Sequence, residues 1–146
     1  MAIVMTIKIR GGKGLQSKIN GLTDKTRDGI FMAFSNLAPE IKIDIQGELK
    51  RPKSGPIRTR YRPKRRVKVS LPGEAPATDT GLLVSSIDAE ANRAQANLII
   101  SAGTKYAKFL ELGTRRMLPR PFLVPALTRW RKRIIEELRI AIRNNL

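Results

Sequence analysis

Two periodicities divide this chain. Ile3, Met5, Ile7 and Ile9 alternate with Val4, Thr6, Lys8 and Arg10, a period of two that predicts a half-buried strand over Val4–Arg10, stopped by Gly11-Gly12. From Leu15 the step becomes three or four. Leu15, Ile19, Leu22, Ile30, Phe34, Leu37, Ile41, Ile45 and Leu49 form one long helical stripe. Gly29 weakens that stripe and Pro39 is expected to bend or break it, giving one kinked helix or two in series.

Lys50 to Lys68 follows neither period. Lys50, Arg51, Lys53, Arg58, Arg60, Arg62, Lys64, Arg65, Arg66 and Lys68 occur there without one acid, punctuated by Pro52, Gly55, Pro56 and Pro63. Like charges repel at this density and proline blocks helix, so the expectation is an exposed, mobile arm. Val67, Val69 and Leu71 hint that its end becomes a strand.

Pro72–Thr80 is a loop rich in turn residues, after which Asp79 or Thr80 suits the cap of a short helix through Gly81–Ile87. A hairpin is expected next, with strands near 87–93 and 97–103 and a turn at Asn92-Arg93 or Gln95-Ala96-Asn97. Lys105–Leu112 reads as a helix terminated by Gly113. The last helix is expected to start from Pro121, where a missing N–H costs least. Its stripe is Leu123, Leu127, Trp130, Ile134, Leu138 and Ile142, with Trp130 read as core. No internal repeat and no second domain is evident, so residues 1–146 read as one domain with the arm inserted at about 50–72.

Composition narrows the chemistry. The 146 residues include neither cysteine nor histidine. Disulfides, thiolate metal sites, zinc fingers and Ser-His or Cys-His catalysis are thereby excluded. Asp44, Glu48 and Lys50 imitate the acid-acid-x-Lys spacing of metal-dependent nucleases, but they fall at helical spacing and no second acid cluster supports a metal. Gly11-Gly12-Lys13-Gly14 lacks the longer phosphate-loop pattern and reads as a turn. No catalytic residue, metal or cofactor is assigned. No apolar run approaches the roughly 20 residues of a membrane span, and the start does not read as a signal peptide. The expected setting is a cytoplasm, or an assembly built there.

The net charge of +17 brings in polyanions. The arm's cations can neutralise phosphates, with Tyr61 placed to stack on a base, or they can order against an acidic protein. Both readings stand at this level.

The ordered parts from Gly73 to Leu127 carry more information than the charge. Gly73-Glu74-Ala75-Pro76 leads to Thr80-Gly81-Leu82-Leu83 and Ser86-Ile87. Gly103-Thr104-Lys105-Tyr106-Ala107 follows, then Phe109-Leu110-Glu111-Leu112-Gly113-Thr114, then Arg120-Pro121-Phe122-Leu123 and Pro125-Ala126-Leu127. This order resembles the tail-completion or neck protein family of long-tailed bacteriophages and prophages, over a little more than a third of the chain.

The resemblance implies a small α+β protein: a mixed or antiparallel sheet packed by a long N-terminal helix and a C-terminal helix, here with a basic arm. It implies a non-enzymatic virion protein, built into the head–tail junction in the host cytoplasm. A homo-oligomeric ring, usually a hexamer, would join a head connector or stopper protein to a tail terminator or tail tube protein, with genomic DNA passing through the lumen. Gly81, Leu82, Tyr106, Phe109, Glu111, Gly113, Thr114, Arg120, Pro121 and Phe122 are the motif positions carried over. Glu111 is expected to pair with Arg115, Arg116 or an arginine of another copy. A ribosomal or nucleoid-type nucleic-acid-binding protein, and a related tail terminator or minor tail protein, are the alternatives.

Overall fold

The computed structural model describes residues 5–9, 24–61 and 63–145. The expected Gly11-Gly12 stop and the Leu15, Ile19 and Leu22 steps lie outside them. The elements run β1 (Met5–Ile9), α1 (Asp24–Lys50), β2 (Ile57–Tyr61), β3 (Lys64–Lys68), α2 (Leu82–Ser85), β4 (Ile87–Asn92), β5 (Asn97–Ala102), α3 (Ala107–Leu112) and α4 (Leu123–Asn144). The architecture is α+β.

α1 is the spine. Ile30, Phe34, Leu37, Ala38, Ile41, Ile45 and Leu49 are buried along it, the stripe that the three-and-four spacing predicts. The helix runs through Pro39 without ending, contrary to the expected bend or break. Pro39 lies on the exposed side, where water can take the Ser35 carbonyl that loses its partner. Interior proline costs about 3 kcal/mol, whereas each fully buried Leu or Ile contributes about 1.5–3 kcal/mol. Leu37, Ile41, Ile45 and Leu49 together outweigh one proline.

β1, β5 and β4 form an antiparallel sheet in that order. On the central strand Leu98, Ile100 and Ala102 are fully buried, and they stand opposite Ala91, Ala89 and Ile87 of β4. Small side chains on β4 let α1 lie close against that face, and Gln46 Nε2 (3.0 Å to the Val84 carbonyl) and Lys42 (3.0 Å to Asp88) hold it there. The expected hairpin is present, its turn falling at residues 93–96 with Ala96 at φ 45°.

α4 runs antiparallel to α1. Arg129 and Trp130 Nε1 both donate to Asp44 (2.8 and 3.0 Å), Arg133 makes a two-pronged contact with Glu40 (2.7 and 3.0 Å), and Thr26 Oγ1 donates to the Asn145 carbonyl at the far end. The Arg133 guanidinium also lies 5.1 Å from the centre of the Trp130 ring. Trp130 therefore packs against the core and still uses its polar edge. Gly29 permits the approach, since a Cβ there would stand 2.3 Å from Asn145 Nδ2 and 3.2 Å from the Ala141 carbonyl oxygen.

Asp44 gives this packing a pH signature. Partial burial raises its carboxyl pKa, but the bonds from Arg129 and Trp130 outweigh burial and set it below the ordinary 3.8. The stabilisation is therefore present above that value and lost as pH falls through the lowered one. Asp44→Asn should lower the urea midpoint at neutral pH, and the gap to the parent should close as pH falls below the ordinary 3.8 and through the lowered value. A gap that stays constant with pH would remove Asp44 as the anchor.

Candidate functional site: a clamped basic hairpin and a buried carboxylate cap

The segment expected to be a mobile arm is a two-stranded antiparallel hairpin, β2 against β3. Its β-formers Ile57, Thr59, Tyr61 and Val67 fall within the strands, while Pro56 and Pro63 lie outside the ladder. Direct pairing puts Arg60 opposite Arg65, a repulsive arrangement taken by itself. Asp79 relieves it: its carboxylate lies 2.7 Å from Arg65 Nη2 and 4.0 Å from Arg60 Nε. That bridging acid lies well beyond the charge run, at a position whose local pattern suggests only a helix cap.

One carboxylate and a set of backbone carbonyls hold the base. Glu74 accepts from Ser54 N (3.1 Å), Ser54 Oγ (3.1 Å) and Leu71 N (2.9 Å), tying the chain entering the hairpin to the chain leaving it. Val69 N donates to the Pro56 carbonyl, and Gly55 lies where a Cβ would stand 2.4 Å from the Val69 oxygen. Lys53, expected among the exposed arm cations, is only 5% exposed. Its ammonium donates to the Glu48 carbonyl (2.8 Å) in the last turn of α1, where a helix end favours positive charge. Burial pushes its pKa below 10.5, against the pull of Glu74 and Glu48. Thr78 Oγ1 takes the next carbonyl, that of Leu49. Lys50 and Arg51 stay exposed at the helix end, with Arg51 3.2 Å from Glu48.

The pleat separates the hairpin's faces. Arg58, Arg60, Arg65 and Val67 share one face, and Ile57, Thr59, Tyr61, Lys64, Arg66 and Lys68 share the other. The first face carries the half-buried Arg65 and Val67 and is held by Asp79; every residue of the second is exposed, Tyr61 to 77%. Arg62 lies outside the described residues.

The second unit is built on Glu111, which is 4% exposed. Oε2 accepts from Phe122 N (2.8 Å) and Leu123 N (3.0 Å), and Oε1 from Val124 N (2.8 Å). These are N–H groups that the start of α4 leaves unbonded. The next residue, Pro125, has none to offer. One carboxylate thus satisfies the helix start and places negative charge at the positive end of its dipole. The expected pairing of Glu111 with Arg115, Arg116 or a neighbour's arginine is overturned: the carboxylate is enclosed and taken by backbone donors. The expected start of α4 also shifts, since Phe122 is the cap residue and Pro125, not Pro121, is the first-turn proline.

Gly113 makes this geometry possible. It ends α3 at φ 75°, and a Cβ there would meet the Met117 carbonyl oxygen at 2.8 Å and Pro119 N at 2.9 Å. The loop then folds back through a Thr114–Met117 bridge (2.8 and 3.3 Å) and an Arg120 N–Leu110 carbonyl bond (2.7 Å). Phe122 is buried, whereas Tyr106 and Phe109 are exposed. Gly81 sits at φ 78° as the N-cap of α2 in place of the expected Asp79 or Thr80, and Leu82 beside it is exposed. A groove of about 370 Å³ joins the two units, lined among others by Arg60, Val67, Asp79, Leu82, Tyr106 and Arg120, with Arg120 Nε enclosed and without a hydrogen-bond partner among the described residues. Among the described residues no cluster of acids could hold a metal ion and no helix is long and apolar enough to cross a membrane. No protein-family model, curated protein or solved structure matches this chain.

Glu111→Ala strands enclosed N–H groups and should cost about 2–4 kcal/mol. In a thermal melt that is a fall of roughly 10 °C, with Glu111→Gln intermediate; an unchanged melt would show the cap to be dispensable. Glu74 gives a local test. The Leu71 N–H, opposed by burial and aided by Ser54, holds its carboxyl below the ordinary 4.5. The clamp is therefore intact above that pH and released as pH falls through the lowered value. The Ser54 and Leu71 amide resonances should titrate together with a midpoint below 4.5, and stay still in Glu74→Gln.

Proposed function

We propose that this chain is a structural virion protein of the phage head–tail junction. It is a tail-completion or neck protein whose copies form a ring, six being the usual number, between the head connector or stopper and the tail terminator or tail tube. The observation that carries the reading is the ordered motif set from Gly73 to Leu127. Its pieces also fold as neighbours: Gly73 N bonds the Pro119 carbonyl (2.9 Å), Gly103 N bonds the Ser86 carbonyl (3.0 Å), and Glu111 caps the helix that Phe122 opens.

The surface of that unit supports the reading. Leu82, Tyr106, Phe109, Leu112 and Leu118 are all exposed within it. Exposed large apolar side chains offer a surface that a partner can cover. Ring closure needs such a patch to meet a different patch on the next copy. The role is architectural, with no reaction assigned.

The test is electron microscopy of particles made without this protein. Filled heads lying apart from finished tails are expected, and adding back the parent protein should join them. Protein carrying Leu112→Asp and Leu118→Asp should fold, since both positions are exposed, yet fail to join them. Normally joined particles from the deletion would sink the reading.

A further inference from the structure

We infer that the outer face of the basic hairpin is a binding site for the phosphate backbone of duplex DNA. Lys64, Arg66 and Lys68 lie at every second position of β3, so they project from one face at intervals of about 6.8 Å. Opposite them stand Tyr61, Thr59 and Ile57, two of which bring hydroxyl donors. None of the three cations has an ion-pair or hydrogen-bond partner among the described residues, in contrast to Arg60 and Arg65 on the inner face.

The face is held in place as well as charged. Asp79 holds the inner side and Glu74 ties the base, so the ribbon is ordered before a ligand arrives. A two-stranded ribbon is also a shape that a duplex groove accepts. The three charges span about 14 Å, a length over which a duplex offers about eight phosphates.

The single sign of the charge favours nucleic acid over an acidic protein. Protein interfaces fix register with charges of both signs around an apolar core, and they disfavour lysine there. This face has no acid and one aliphatic residue, Ile57. The inference does not depend on the assembly reading, and its test needs no particle.

A net charge of +17 attracts DNA wherever its cations lie, so the test must separate this face from diffuse charge. Binding of a 20-base-pair duplex of arbitrary sequence is followed by fluorescence anisotropy from low to physiological salt. The parent is compared with Lys64→Ala/Arg66→Ala/Lys68→Ala and with a charge-matched control, Arg131→Ala/Lys132→Ala/Arg143→Ala, altered on exposed positions of α4. The hairpin variant should lose about tenfold or more in affinity, and its log–log salt slope should be shallower by about 2.7, three contacts at 0.9 each. The control should keep nearly the parent slope. Equal losses in both variants would reduce the binding to diffuse charge and overturn the site. Tighter binding of poly-L-glutamate than of DNA, lost in the same hairpin variant, would also overturn it and assign the face to an acidic protein. Thermal melts of both variants report that the fold is retained.

Discussion

The start of α4 is the point on which the rest of the structure depends. A helix beginning inside a protein leaves N–H groups that neither water nor its own carbonyls can reach. Here a single enclosed carboxylate, Glu111, takes those of Phe122, Leu123 and Val124, and Pro125 removes the need for a further one. Glu111 belongs to α3, which follows the central strand β5, so the cap fixes the direction in which α4 leaves the sheet. That direction carries α4 back along α1, where Asp44, Glu40 and Thr26 meet Arg129, Arg133 and Asn145 in turn. Gly113 belongs to the same constraint, because only a residue without Cβ turns the chain tightly enough at φ 75° to bring Phe122 over Glu111.

α1 answers at its C-terminal end with the opposite charge. Lys53 is drawn into the protein to meet the Glu48 carbonyl, although burial disfavours its charged form. The bond compensates because the carbonyls at a helix end carry the negative end of the dipole. Both long helices therefore end on an enclosed charge of the complementary sign, and each of those charges comes from a segment outside the helix it caps.

Periodicity carried much of the fold. The α1 stripe from Ile30 to Leu49, the β4–β5 hairpin and the stop at Gly113 could all be read from spacing and turn chemistry. The spacing also shows why Pro39 does not end the helix: it falls outside the Leu37–Ala38–Ile41 stripe, on the side open to water. The hairpin was hidden by its own charge. Ile57, Thr59 and Tyr61 alternate as a strand should, but repulsion among cations argued for an arm, and the acid that relieves it, Asp79, comes from a later loop. For Glu111 the side-chain pattern offers only the nearby arginines as partners. Its actual donors are backbone groups eleven to thirteen residues on, which no side-chain pattern announces.

The distribution of acids explains how so basic a chain folds. Asp28 binds Arg93; Glu40 and Asp44 bind α4; Glu48 binds Arg51; Asp79 and Asp88 anchor β3 and α1; Glu74 and Glu111 are occupied by backbone N–H groups. Most of these carboxylates are thus committed to joints between elements, and most of the surplus cations are left at the surface. Such a surface repels its like and attracts polyanions. The hairpin shows the arrangement on the smallest scale. Alternate residues of one strand face a carboxylate of the protein and the solvent, so the same run of cations both fastens the ribbon and leaves charge free for a ligand.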